Sequence, residues 1–160
     1  MTFEAQRVET PIVLEMDSPS AECEHRGFEY LMEEIKSRYS IGKLLSEGGE
    51  GAVYAGVRLS DGTEVAIKVS QVDPYLGMIT IPGETTPIPT EVRLMKMVSQ
   101  PVRCPKILEL LEWFVVQNNL VLILEKPSPC MDLLDFCELQ GGKLPELLAR
   151  DIMVQVVQVR

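Results

Sequence analysis

The stretch LLSEGGEGAVYAGVRLSDGTEVAIK, residues 44–68, decides the fold of this chain. It places three glycines between two apolar segments, a tight-turn dipeptide at Asp61-Gly62, and the segment VAIK, which ends at Lys68. Apolar segments that flank glycine predict strands, and Asp-Gly is a strong hairpin signal. The stretch therefore predicts an antiparallel meander of three strands, at residues 39–45, 52–59 and 63–69.

The VAIK segment carries the one basic side chain of the third strand. Side chains alternate along a strand, so Ala66 and Lys68 share one face, and the apolar residues Val65, Ile67 and Val69 share the other. Taken alone, this pattern favours a half-buried strand with a solvated lysine. The glycines upstream favour a second interpretation, a loop whose backbone N–H groups approach phosphate without interference from side chains.

An acidic residue opens the next predicted helix, residues 90–98. Leu94, Met95 and Val98 follow Glu91 at i+3, i+4 and i+7, so Glu91 lies on the apolar, inward face. This position favours a carboxylate that holds Lys68. A glutamate in a first turn is also typical of simple helix-dipole stabilisation.

The remaining chain divides into an amino-terminal tail and five later segments. Residues 1–26 are acidic, contain prolines and show no period, which predicts a loosely held tail. The tail region, 1–38, ends in a short amphipathic helix near 28–37. The later segments are two strands, a proline-rich break and two helices, at residues 107–114, 120–124, 127–129, 131–139 and 145–160.

Composition excludes several classes of protein. The 160 residues carry a net charge of −9, which argues against nucleic-acid partners and anionic membranes. The four cysteines show no CxxC spacing and the chain has one histidine, so we expect no metal site built by these residues. No signal peptide or membrane-spanning run is visible, so we expect an intracellular protein with reduced thiols.

Strand, Gly-rich turn, strand, hairpin and VAIK, in that order, begin the protein-kinase signature. From Tyr39 onward the chain resembles the amino-terminal part of a Pim-type serine/threonine kinase, most specifically in YSIGKLLSEGGEGAVYAG, EVAIK and LVLILEKPSPCMDLLDF. The resemblance implies an α+β fold. A kinase N-lobe, 39–124, would hold a five-stranded antiparallel sheet and one helix. A hinge, 125–130, would lead to the first two helices of a truncated helical lobe, 131–160.

The resemblance also implies ATP and Mg²⁺ as cofactors. Lys68 and Glu91 would be the catalytic pair, Leu124 the gatekeeper, and Glu125 the residue whose carbonyl meets adenine. Pro127 has no N–H, so it cannot donate the second hinge hydrogen bond found in most kinases. The implied ATP-binding residues are Leu45, Ser46, Gly48, Gly51, Val53, Ala66, Lys68, Leu124, Glu125 and Pro127.

Two acids after the hinge match positions that Pim-type kinases turn toward ribose or a basic substrate. Asp132 and Asp135 have i, i+3 spacing, which predicts that both lie on one helix face. The resemblance therefore implies protein substrates with basic motifs. An ordinary solvated helix face explains the same two residues equally well.

The chain departs from the kinase pattern in two respects. Ser46 replaces the first loop glycine, and Glu47 and Glu50 would lie near a triphosphate, which weakens nucleotide binding. The HRD segment is absent, since the only histidine, His25, lies far upstream, and no DFG sequence occurs in these residues. We therefore expect the ATP-binding part of a cytoplasmic or nuclear kinase, inactive alone. The alternatives are a non-catalytic nucleotide-binding or interaction module, and an inert product.

Overall fold

The computed structural model describes residues 13–14, 21–49, 51–73, 77–80, 86–99, 104–116 and 118–157. The strands within these ranges are β1 Val13–Leu14, β2 Tyr39–Gly48, β3 Gly51–Arg58, β4 Glu64–Gln71, β5 Met78–Ile79, β6 Ile88–Pro89, β7 Leu110–Val116 and β8 Asn119–Glu125. The helices are α1 Ala21–Arg38, α2 Thr90–Val98, α3 Leu133–Leu139 and α4 Glu146–Val157.

The main sheet of the described chain has the order β1-β7-β8-β4-β3-β2. Its five long strands pair antiparallel, which confirms the five-stranded sheet predicted from the sequence. A sixth strand, β1, was not predicted. It pairs parallel with β7, with Val13 opposite Val115 and Leu14 opposite Val116. Two residues are too few to show an alternating pattern, so the sequence gives no signal for this strand.

The Gly-rich stretch forms the end of a hairpin rather than a separate loop. Pairing of β2 with β3 continues to Gly48 opposite Gly51, so both strands reach further toward the turn than the sequence predicted. A register shift between Leu44 and Ser46 places a bulge in β2. Bulges bend a strand and increase its twist, so the hairpin end is aimed differently from the rest of the sheet.

Helix α1 is longer than the helix predicted near 28–37. It begins at Ala21, so residues 21–26, which we expected in a loosely held tail, are helical. Ala21, Glu22 and Glu24 are good helix formers, but they precede the periodic apolar positions that indicated the helix. The periodicity therefore marked only the part of α1 that packs against the sheet.

Two apolar layers cover the two faces of the sheet. The outer layer lies beneath α1 and contains Leu31, Ile35, Tyr39, Val65, Ile67, Phe114, Val121 and Ile123. The inner layer lies beneath α2 and contains Val72, Ile88, Val92, Trp113, Val115, Leu120 and Leu122. Strand β8 contributes alternate residues to each layer, as the two-residue period of a strand requires. The face of VAIK predicted as core is therefore buried, against α1.

In the region between β4 and α2, the four prolines and two glycines of residues 71–90 predict a long loop. The structure has the short antiparallel pair β5–β6 there. Residues 74–76 and 81–85 of that loop lie outside the described residues. Helix α2 has the predicted bounds, Thr90–Val98. Helices α3 and α4 start slightly later than predicted, and no residue of either is buried. Residues 158–160 of the last predicted helix also lie outside the described chain.

Candidate nucleotide-binding site

The site is organised around one ion pair between the sheet and a helix. Lys68 Nζ on β4 lies 2.8 Å from Glu91 Oε1 in the first turn of α2. The lysine side chain is 21% exposed and the glutamate 36%, so water reaches both groups. The backbone of α2 is anchored at its start, where the N–H of Thr90 donates to the carbonyl of Gly77. The structure thus brings together the two side chains that the sequence proposed as partners.

The strand register places a small apolar surface beside the lysine. Residues directly opposite each other in an antiparallel pair share a face of the sheet. Val53 on β3 lies opposite Lys68, and Leu124 on β8 lies opposite Ala66. Val53, Ala66, Leu124 and Lys68 therefore form one patch on three adjacent strands. The packing explains this arrangement, because the alternate residues of β4 and β8 are committed to the outer layer.

Gly51 and Gly48 of the hairpin differ in whether the fold itself requires glycine at that position. Gly51 has φ +114°, and a Cβ there would lie 2.2 Å from the carbonyl oxygen of Val69. Gly48 has no atom within 4 Å of such a Cβ. The fold itself therefore demands glycine at 51, and leaves open space at 48 for an approaching ligand.

The other predicted residues of this loop lie on β2. Ser46 pairs with Val53, and Leu45 falls within the bulge, exposed. Ser46 is thus accommodated in a regular strand pair without a glycine. Glu47 is exposed and pairs with Ala52. Glu50 lies outside the described residues.

The segment predicted as the hinge, residues 125–130, begins at the end of β8 and is held from two sides. Glu125 lies opposite Val65 on β4, and its N–H donates to the carbonyl of Glu109 at 2.9 Å. Pro127, two residues on, is exposed. These contacts fix the start of the hinge against the sheet and place it next to Leu124 at the edge of the patch.

Comparison with known proteins agrees with this arrangement of loop, lysine, helical glutamate and hinge. Residues 39–159 match the family model described as the protein kinase domain. The chain belongs to the protein kinase family. The match covers most of the chain and includes all the proposed site residues.

The kinase is similar to several serine/threonine kinases of known name. It is 39% identical over 131 residues to serine/threonine-protein kinase pim-2 of Danio rerio, which covers 79% of this chain and 42% of that protein. It is 31% identical over 134 residues to prk-2 of Caenorhabditis elegans, covering 82% and 27%. It is 30% identical over 122 residues to CBL-interacting serine/threonine-protein kinase 16 of Arabidopsis thaliana, covering 75% and 24%. The resemblance to Pim-type kinases is thus confirmed, and the chain spans less than half the length of these relatives.

The two aspartates after the hinge are arranged differently from the prediction. Asp132 is the N-cap of α3, in extended conformation, and its Oδ1 accepts a hydrogen bond from the N–H of Asp135 at 2.8 Å. Only Asp135 is within the helix, so the expectation that both lie on one helix face is wrong. Aspartate is favoured at this position because its carboxylate satisfies a backbone N–H of the first turn. Both side chains are exposed.

One contact of the hinge was not predicted from the sequence. Lys126 Nζ lies 3.2 Å from Glu64 Oε2 at the start of β4. Val65 lies opposite Glu125 in the sheet. Glu64 directly precedes Val65 and Lys126 directly follows Glu125, so the register makes the two charged residues neighbours. Their opposite charges were visible in the sequence, but the pairing of two strands so distant along the chain was not.

A second polar cluster lies away from the candidate nucleotide-binding site, where α1 meets the sheet. Arg38 forms an ion pair with Glu112 on β7, and the Tyr39 hydroxyl donates to the other oxygen of Glu112 at 2.6 Å. Burial, together with this hydrogen bond, raises the pKa of Tyr39 well above its usual range. The cluster lines a cavity of about 590 Å³ with Arg58 and Leu111. Nothing in the sequence marked this cluster.

The described residues hold no cluster of three or more His, Cys, Asp or Glu side chains suited to a metal ion. Among the helices described, none is long and apolar enough to cross a membrane.

Proposed function

We propose that this chain forms the ATP-binding lobe of a Pim-like serine/threonine protein kinase. The observation that carries the proposal is the 2.8 Å contact between Lys68 and Glu91. In protein kinases an ion pair of this kind must be in place for phosphoryl transfer, because it holds the lysine where it can meet the nucleotide phosphates. The apolar patch next to this pair supports the same assignment.

The residues present fit ATP. Lys68 would meet the phosphates, and Glu91 would hold its side chain in that direction. Val53, Ala66 and Leu124 offer an apolar surface for the adenine ring, and open space at Gly48 allows backbone to approach phosphate.

The other polar contacts of the nucleotide would come from the hinge and a metal. Glu125 would offer its carbonyl to the adenine amino group, while Pro127 has no N–H to donate. Mg²⁺, when bound with ATP, neutralises phosphate charge. Its usual aspartate ligand in the DFG segment is not part of these 160 residues.

We further propose that the complete kinase transfers the γ-phosphate of ATP to Ser or Thr in basic protein motifs, in the cytoplasm or the nucleus. Asp132 and Asp135 are exposed directly after the hinge and carry two negative charges. A carboxylate binds an arginine through charge-assisted hydrogen bonds. The Oδ2 atom of Asp132 remains available for this purpose, since the cap uses Oδ1.

A second candidate function is nucleotide binding without phosphoryl transfer. These 160 residues hold the candidate ATP site but do not contain the HRD and DFG motifs. Those motifs supply the residue that orients the substrate hydroxyl and the main metal ligand, and catalysis by kinases consists largely of positioning and charge neutralisation. The two functions share the same ATP site and differ only in whether the γ-phosphate is transferred to a substrate.

The ATP assignment is tested by thermal unfolding with and without ATP and Mg²⁺. ATP should raise the Tm of the wild-type chain, and should leave the Tm of Lys68→Met unchanged. Lys36→Met is the matched control, because Lys36 pairs with Glu33 on the exposed face of α1. Equal stabilisation of wild type and Lys68→Met by ATP would reject the site.

A further inference from the structure

Helix α1 lies outside the part of the chain that matches the kinase family, yet it is packed as part of the lobe. The family match begins at residue 39, one residue after α1 ends. Leu31 is 4% exposed and Ile35 is 0% exposed. These two side chains share one apolar cluster with Val65 and Ile67 of β4. The helix therefore covers sheet surface that would otherwise meet water.

The covered strands are the ones that carry the candidate nucleotide site. Val65 and Ile67 alternate along β4 with Ala66 and Lys68. Strand β8 follows the same pattern, since Val121 and Ile123 belong to the outer cluster while Leu124 lies opposite Ala66. The backbones of β4 and β8 thus connect residues of the cluster that includes Leu31 and Ile35 to residues of the site on the opposite face.

The carboxyl end of α1 is fixed by several polar contacts. Arg38 pairs with Glu112, and its guanidinium carbon lies 5.6 Å from the ring centroid of Phe114. The carbonyl of Arg38 accepts a hydrogen bond from the N–H of Leu59 at 2.9 Å. These contacts attach the helix to β7 and to the turn after β3, so its position relative to the sheet is set at the point where the helix ends.

We propose that α1 braces the nucleotide-binding strands from behind, with Leu31 and Ile35 as positioning residues for Lys68. The side chains act through the backbone of β4 and touch neither nucleotide nor Glu91. Removing them leaves a cavity under β4 and β8, and strands with an unfilled core open more often. The effect on Lys68 rests on the proposed ATP site, whereas the bracing of the strands does not.

The test is hydrogen exchange on the full 160-residue chain without nucleotide. In Leu31→Ala/Ile35→Ala, backbone amides of β4 and β8 should exchange about tenfold faster or more, while those of α4 stay unchanged. The single variant Ile35→Leu should keep exchange in β4 and β8 nearly as slow as in the wild type, because leucine fills most of the volume of isoleucine. Tyr30→Ala is the matched control, since Tyr30 is 60% exposed on the same helix. If the double variant does not fold, Ile35→Val should show a smaller change with the same distribution.

Two results would overturn the brace. One is loss of protection in α1 alone, with β4 and β8 unchanged. The other is a uniform increase throughout the chain, which would show a general contribution to stability. A second measurement, the Tm shift on adding ATP, should be smaller in Leu31→Ala/Ile35→Ala than in Tyr30→Ala. No ATP shift in the wild type, together with the expected exchange pattern, would reject the ATP site and leave the brace standing.

Discussion

Lys68 and Glu91 meet at 2.8 Å although 23 residues separate them, one on a central strand and the other in the first turn of a helix. The strand fixes the lysine through pairing on both sides, and Gly77 fixes the start of the helix. The pair is thus a product of two independently held backbones. The backbone positions that bring the two side chains together are held by contacts other than the ion pair itself.

The first prediction follows from this independence. Glu91→Gln should change the free energy of unfolding by less than about 1 kcal/mol, because a water-accessible ion pair contributes little. The same change should weaken ATP binding, because the lysine loses the charge that orients it. Chemical denaturation and ATP titration measure the two effects. Glu33→Gln, in the exposed pair with Lys36, should likewise change stability little, and it should leave ATP binding unchanged. A large loss of stability in Glu91→Gln would contradict this account.

The second prediction concerns the two glycines of the hairpin. Gly51→Ala should destabilise the chain by at least about 2 kcal/mol, since its φ of +114° is unfavourable for alanine and the new Cβ meets the Val69 carbonyl. Gly48→Ala is the matched control, in open space, and should cost much less. Urea unfolding of both variants provides the comparison. Similar losses at the two positions would show that the hairpin does not pack as described.

The third prediction is a loss of stability at high pH. The pKa of Tyr39 is raised in the folded chain, first by burial and then by its hydrogen bond to Glu112. The unfolded chain releases this proton near its ordinary pKa of about 10, whereas the folded chain keeps it. The contribution is complete below pH 10 and should be lost as the pH rises beyond it.

Tyr39→Phe removes this pH dependence and provides the test. The variant should be less stable at neutral pH by about 1–2 kcal/mol, through the lost hydrogen bond to a charged group. Between pH 9 and 11 its free energy of unfolding should fall less steeply than that of the wild type. Tyr30→Phe, at an exposed position, serves as the control. Parallel curves for wild type and Tyr39→Phe would refute the assignment.

The fourth prediction separates the capping role of Asp132 from its proposed role in substrate binding. Asp132→Ala removes the cap of α3 and should destabilise that helix by about 1 kcal/mol. Asp132→Asn keeps a capping oxygen and should be nearly neutral for stability. In a chain extended by the rest of the kinase, Asp132→Asn should still raise the KM for an arginine-containing peptide, because the negative charge is gone. An unchanged KM would limit Asp132 to its capping role.

The fifth prediction concerns activity. The purified 160-residue chain should transfer no phosphate from radiolabelled ATP to an arginine-rich peptide, because it lacks the HRD and DFG residues. Labelling above that of Lys68→Met would contradict this prediction.

The sequence predicted the parts of the fold whose signals are local. The alternation around VAIK gave both faces of β4, and the periodicity after Glu91 gave the bounds of α2. The pairing of Lys126 with Glu64 depends on the register of β4 and β8, so no local pattern could reveal it. The same holds for the docking of α1: the sequence showed an apolar stripe, but not the sheet face that receives it.

Within the candidate site, the sequence was least informative about residues that also shape the local fold. Asp132 was visible as an acid near a helix start, and its spacing to Asp135 suggested a shared helix face. The capping hydrogen bond changes that geometry, because a cap residue stands outside the helix. An aspartate directly before the apolar residues Leu133 and Leu134 is itself a signal for the start of a helix.

Gly51 has a consequence for how this motif is interpreted across genomes. Its small size is required by the neighbouring strand, so selection for folding alone is enough to retain it. A descendant of this lobe that had abandoned nucleotides would still keep glycine at 51, while position 48 could drift to other residues. Glycine at the position of Gly51 in a divergent kinase-like sequence therefore indicates the packing of the hairpin. Glycine at the position of Gly48 is the better indicator of nucleotide binding.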